Sequence, residues 1–261
     1  MGMMHFDFMS EKLGYQTNIY VILPECMERG EKPEGILYLL HGEDGNGLDW
    51  VRNTAIERYA RPYKLAVVMP EVDGSSFYTD MVHGYPYFEY VTEEVPVAME
   101  AMLPMLRQVE KRYVAGVSAG GYAAFKWAFH KTEYFTAAAN FSGLYVLPEL
   151  MEDADGKAAD MGYTPQEMAQ IVECNWGTLA DLSGSLNDPR VWADRAGESG
   201  ESLPKLFAGM GTEESVYGCG IEYLSYCAKK GIEIHYEEMC AGHDWDMWDA
   251  MICRFLEWVC V

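Results

Sequence analysis

The stretch Val114-Ala115-Gly116-Val117-Ser118-Ala119-Gly120-Gly121 constrains the fold of this chain more than any other. A short apolar strand runs into Gly-x-Ser-x-Gly, and residues 122–129 follow with helical spacing. A strand that turns sharply into a helix holds the turn residue in strained backbone geometry, with its side chain standing above the sheet. Strand and helix pass so close there that the residues two positions either side must be small, and Gly116 and Gly120 meet that demand. Five residues alone arise by chance. The strand–turn–helix context is what makes Ser118 the expected nucleophile.

Apolar runs and helix-like segments alternate on both sides of this turn. Residues 36–40 and 65–69 are continuous apolar runs, the pattern of strands buried on both faces. Further strands are expected over 17–23, 136–141, 205–210 and 232–239. Helices are expected over 54–61, from 92 to the proline at 104, and over 215–230 and 243–259. Thr164-Pro165-Gln166-Glu167 forms a capping box with proline at the first helical position, so 164 to about 175 should be helical. The rest of 144–204 is irregular and is read as an insertion packed over the strand ends. Residues 71–90 read as a long, aromatic-rich loop, a length that is usually functional or mobile. The expectation is one α/β domain over 1–261, with a mostly parallel central sheet, helices on both faces and an inserted cap over about 144–204.

Of the 261 residues 49% are hydrophobic, enough for one sizeable core. The net charge of −22, from 41 acidic against 19 basic residues, repels phosphate backbones and anionic lipid. Nucleic acid and membrane surfaces are therefore not expected partners, and the acidity itself reads as solubility. Residues 1–10 lack the basic and apolar regions of a secretory signal. Seven cysteines, an odd number without a Cys-x-x-Cys pair, suit reduced thiols. A cytoplasmic protein is expected.

A serine hydroxyl needs a base within hydrogen-bond reach and a carboxylate to orient that base. When the nucleophile sits on a strand–helix elbow, the partners follow in the order acid, then histidine. Of six histidines only His235 and His243 lie late enough. His235 falls inside an alternating strand; His243 falls in the turn after it and is the better base. The acid belongs after strand 205–210, where Glu213 and Glu214 compete and spacing does not choose between them. An oxyanion hole needs two backbone N–H groups. Ala119 supplies one, and the loop His41-Gly42-Glu43 supplies the other through Glu43, whose carboxylate should turn away from the hole.

With these residues in hand, the chain resembles the esterase D-like family of α/β-hydrolases, in particular its bacterial tributyrin-esterase branch. The resemblance rests on Leu39-Leu40-His41-Gly42, on Asp49-Trp50-Val51-Arg52-Asn53-Thr54 and on Ala66-Val67-Val68-Met69-Pro70. It continues through Ser76-Phe77-Tyr78-Thr79-Asp80, the Ser118 motif, Asn140-Phe141-Ser142-Gly143 and Gly242-His243-Asp244-Trp245. It covers most of the chain and thins over 144–204. It implies an α/β-hydrolase fold, hydrolysis of short acyl esters by a Ser–acid–His triad, and neither metal nor cofactor. The family's Gly-Thr-Glu-Asp aligns with Gly211-Thr212-Glu213-Glu214, which selects Glu214 as the acid in place of an aspartate. The expected partner is a small acyl ester or an acylated saccharide, with a homo-oligomer left open. S-formylglutathione thioesters, or a non-catalytic binding module on the same fold, are the alternatives.

Several other signals carry less. Gly42-x-x-Gly45-x-Gly47 lacks dinucleotide spacing, and Glu43 with Asp44 would repel a pyrophosphate. His243-Asp244-Trp245-Asp246 lacks the His or Cys partners of a zinc site. Trp50, Trp245 and the aromatics between Phe77 and Tyr90 fit either a substrate pocket or ordinary packing.

Overall fold

The computed structural model describes residues 1–143, 145, 147–152 and 162–260. Eight strands form a single sheet: β1 (Gly2–Met9), β2 (Gln16–Leu23), β3 (Gly35–Leu40), β4 (Leu65–Pro70), β5 (Arg112–Val117), β6 (Ala137–Phe141), β7 (Lys205–Gly211) and β8 (Ile234–Met239). Their order is β1-β2-β4-β3-β5-β6-β7-β8. β1 and β2 run antiparallel at one edge, and β4, β3 and β5 to β8 are parallel neighbours. This is the doubly covered, mostly parallel sheet expected of an α/β-hydrolase.

Alternation along the central strands builds two cores. From β3, Ile36, Tyr38 and Leu40 point to one face, where they meet Tyr122, Phe125 and Trp127 of the Ala119–His130 helix. Leu37 and Leu39 point to the other, toward Met251, Ile252 and Phe255 of the Trp245–Val259 helix. Successive side chains of a strand face opposite ways, so a strand between two helical layers must be apolar throughout. All six residues of β3 and of β4 are buried accordingly.

The structure departs from the expected pattern in three places. β1 was not expected: Met3, Met4 and Met9 remain exposed on this edge strand, and only Phe6 and Phe8 pack against the core. The 71–90 loop is packed into the body, with Phe77, Tyr78, Tyr87 and Tyr90 buried. The span before β7 is more helical than its composition suggested. Leu147–Glu152, Leu179–Leu182 and Pro189–Ser199 join the expected Pro165–Trp176, whose capping box forms through Thr164 and Glu167. Residues 144, 146 and 153–161 of that span lie outside the described residues. No described helix is long and apolar enough to cross a membrane.

Candidate active site

β5 delivers Ser118 to the turn before the Ala119–His130 helix with φ 52° and ψ −120°, a strained conformation for a residue with a side chain. Glycines on either side permit it. A Cβ at Gly116 would lie 2.1 Å from the Gly120 carbonyl oxygen, and one at Gly120 would lie 2.4 Å from that of Leu40. Either would force strand and helix apart. The Ser118 N–H donates to the Phe141 carbonyl at 2.9 Å, which ties the turn to the end of β6.

The loop after β3 meets Ser118 from the other side: a Cβ built on Gly42 would stand 3.5 Å from the Ser118 Cβ. Three side chains fix three successive carbonyls in this loop. Trp50 Nε1–H donates to Leu40 at 3.2 Å, Tyr78 Oη–H to His41 at 3.0 Å, and His41 Nδ1–H to Gly42 at 2.7 Å. The Val72 N–H donates to His41 Nε2, which assigns the ring proton to Nδ1. Burial lowers the His41 pKa and favours that neutral ring. In a trans peptide N–H and C=O point oppositely, so tying the Gly42 carbonyl aims the Glu43 N–H the other way. Among the described residues, neither the Glu43 nor the Ala119 N–H is engaged in a hydrogen bond.

The loops after β7 and β8 press together: a Cβ at Gly211 would lie 2.2 Å from the Ala241 carbonyl oxygen. They bring Glu214 to His243, with Oε2 3.0 Å from Nδ1. The Glu214 side chain is fully buried, and its Oε1 accepts from the Gly211 N–H and the Ser142 hydroxyl, both at 2.6 Å. Trp248 Nε1–H donates to Ser142 Oγ at 3.0 Å, and the Trp248 ring stands edge-on to His243 with centroids 4.9 Å apart. Glu213 is exposed and accepts from the Cys240 thiol, away from this network. Ser118 and His243 line the same cavity.

The Esterase family model matches residues 10–258. The chain belongs to that family. An acetyl esterase from Caldicellulosiruptor saccharolyticus is 27% identical across 99% of this chain and 98% of its own. Among solved structures, the fluorophosphonate-binding serine hydrolase FphF of Staphylococcus aureus aligns at TM-score 0.87 with 28% identity, covering 100% of this chain and 98% of that one. An S-formylglutathione hydrolase (FrmB) from the same organism aligns at 0.85 with 28% identity, covering 100% and 99%. By class this esterase is a serine hydrolase of carboxylic esters.

The cavity of this esterase measures about 520 Å³. Trp245, Trp248, Phe77 and Tyr163 form its aromatic wall. Trp50, considered for the pocket, does not line it; of the two readings open to it, packing is the one the structure shows. Trp50 is 0% exposed, and it backs Trp245 edge-on at 5.4 Å while tying down Leu40. Glu43 is a lining residue too. Its carboxylate accepts from the hydroxyl of Tyr163, which lines the cavity as well. Burial, with Asp44 and Asp73 nearby, pushes the Glu43 pKa up to about 7.

Sequence reasoning missed Ser142, Trp248 and Tyr163. Ser142 lay in a recognised motif but carried no role, because nothing local shows that its hydroxyl reaches a carboxylate 72 positions away. Trp248 looked like one more apolar residue of its helix, although its N–H faces Ser142. No group of three or more metal-ligating side chains is arranged to hold an ion among the described residues.

Proposed function

We propose that this esterase hydrolyses short-chain acyl esters, of the tributyrin or acetyl-ester type, through an acyl-enzyme. The single observation that carries the reading is the buried Glu214 carboxylate bonded to His243 in the cavity that also holds the strained Ser118. Ser118 attacks the ester carbonyl while His243 takes its proton through Nε2. Glu214 holds the imidazole with its other proton on Nδ1 and stabilises the imidazolium as it forms. The N–H groups of Glu43 and Ala119 receive the oxyanion, worth about 3 kcal/mol per donor in a site closed to water. His243 then protonates the departing alcohol. Water, activated by the same imidazole, releases the acid and restores Ser118.

The similar acetyl esterase supports a small acyl group, and the similar S-formylglutathione hydrolase keeps a thioester reading in view. The decisive experiment is labelling with a fluorophosphonate probe alongside p-nitrophenyl acetate turnover, for the native protein and Ser118→Ala. The native protein should label and turn over, and the variant should lose both, its turnover by several orders of magnitude. A well-folded native protein that does neither defeats the proposal.

A further inference from the structure

Four carboxylates, Glu43, Asp44, Asp49 and Asp244, line the cavity that holds Ser118, and no lysine or arginine lines it among the described residues. None of the four pairs with a cationic side chain among the described residues. Two are fixed by backbone donors that orient a carboxylate without neutralising it. Asp49 Oδ2 accepts from the Asn46 N–H at 3.1 Å, and Asp244 Oδ1 from the Met247 N–H at 3.0 Å. His243 is the one imidazole in the lining among the described residues, and its Nδ1 is committed to Glu214.

Glu43 and Asp244 each follow a residue of the site: Glu43 follows Gly42, where a built Cβ would stand 3.5 Å from the Ser118 Cβ, and Asp244 follows His243. The Tyr163 hydroxyl holds the Glu43 carboxylate. A half-buried carboxylate is less screened by water and salt than an exposed one, so its influence on a neighbouring charge is correspondingly larger. Trp245 and Trp248, whose rings meet edge-on at 5.0 Å, add the electron-rich surface that attracts an ammonium group. Outside the cavity, the net charge of −22 gathers cations and depletes anions before they arrive.

We propose that the cavity ranks acyl esters by the charge of the alcohol they carry, cationic above neutral above anionic, and that the Glu43 side chain sets the ranking. This rests on the ester-hydrolase reading and narrows it. S-formylglutathione, with two carboxylates against one ammonium, falls in the disfavoured class, whereas acetyl esters of amino alcohols fall in the favoured one.

The test uses the full chain in a pH-stat assay at pH 8 and low salt. Three acetyl esters of similar size are compared: acetylcholine, its uncharged isostere 3,3-dimethylbutyl acetate, and 3-acetoxypropane-1-sulfonate. We expect kcat/KM to fall by about tenfold from cation to neutral and again from neutral to anion, with both gaps shrinking at 0.5 M salt. Glu43→Gln should compress the cation-to-neutral ratio whatever it does to the absolute rates. Asp44→Asn should compress it less; Asp44 is exposed and makes no hydrogen bond among the described residues, so this variant keeps the fold. Three rates within twofold of one another, or a ratio that neither variant nor salt alters, overturns the ranking while Ser118-dependent turnover of the neutral ester leaves the hydrolase reading standing. No Ser118-dependent turnover of any of the three overturns both.

Discussion

Replacing Glu43 with glutamine should change how the stability of this esterase depends on pH, and the size of the change follows from where the carboxyl sits. Burial, then Asp44 and Asp73, pushes its pKa from 4.5 up to about 7. The folded protein therefore binds this proton more tightly than the unfolded chain does. The resulting stabilisation is whole below pH 4.5 and is lost as pH rises through 7, where a charged carboxylate must stay in the wall. At about 1.4 kcal/mol per pKa unit the full effect approaches ~3 kcal/mol. Solvent reaching the half-buried group reduces the expected value to about 2 kcal/mol between pH 5 and 8. Glutamine cannot ionise but still offers Tyr163 an oxygen. Urea unfolding of both proteins at pH 5, 6, 7 and 8, extrapolated linearly, gives the stability difference, from which other titrating groups cancel. The variant should gain on the native protein by about 2 kcal/mol from the lowest pH to the highest. A difference that stays constant, or that moves the other way, refutes the claim that Glu43 is held against its charge.

Three further outcomes test the network behind Ser118. Glu214→Gln keeps the shape of the acid but presents the wrong partner to Nδ1–H, so kcat should fall by about 10³–10⁴; Glu213→Gln should stay within about twofold, and steady-state kinetics on p-nitrophenyl acetate compares them. Ser142→Ala removes a donor from Glu214 and leaves the buried Trp248 N–H without an acceptor. It should cost about 1–3 kcal/mol in urea unfolding, with kcat lowered more than KM is raised. Lys126 is buried beneath Phe88, and its Nζ donates to the Tyr78 carbonyl and the Thr79 hydroxyl, with its pKa lowered to about 7 by burial against a small opposing pull from Asp80. The folded state resists this proton, so the penalty is whole below pH 7 and is relieved as pH rises toward 10.5. Lys126→Met should therefore gain about 4 kcal/mol relative to the native protein between pH 10 and pH 6.5, read from paired unfolding curves.

The fold was legible because its strands are buried on both sides. Residues 36–40 and 65–69 carry no polar interruption, and only a two-layer cover explains that. The elbow was legible for a related reason: Gly116 and Gly120 answer a close approach that few other arrangements create. The edge was not. β1 pairs with β2 and turns only Phe6 and Phe8 toward the core, an alternation too short to stand out beside its exposed methionines. The acid posed a different difficulty. Glu213 and Glu214 are chemically equal in sequence, and what separates them is a turn that points one into the protein and the other into solvent. Trp50 stayed between two readings for want of depth information: an aromatic beside a site motif reads alike whether it faces substrate or supports the residue that does.

The same distinction explains how a strained serine can be held steady. Ser118 sits in a conformation that costs on the order of 1–3 kcal/mol, and nothing within the turn itself repays it. What holds it is contact from two neighbouring strand ends at once. β6 accepts its N–H through Phe141, the β3 loop closes on it at Gly42, and Gly120 lies against the carbonyls of Leu40 and His41. Those carbonyls are in turn claimed by Trp50 and Tyr78, and Tyr78 by Lys126. The buried His41 therefore acts on the reaction by fixing the peptide that aims the Glu43 N–H, and Trp50 steadies the same loop two peptides earlier, at the Leu40 carbonyl. Reorganisation of that peptide during turnover would cost energy at the moment the oxyanion forms, and the tied carbonyls remove the need for it.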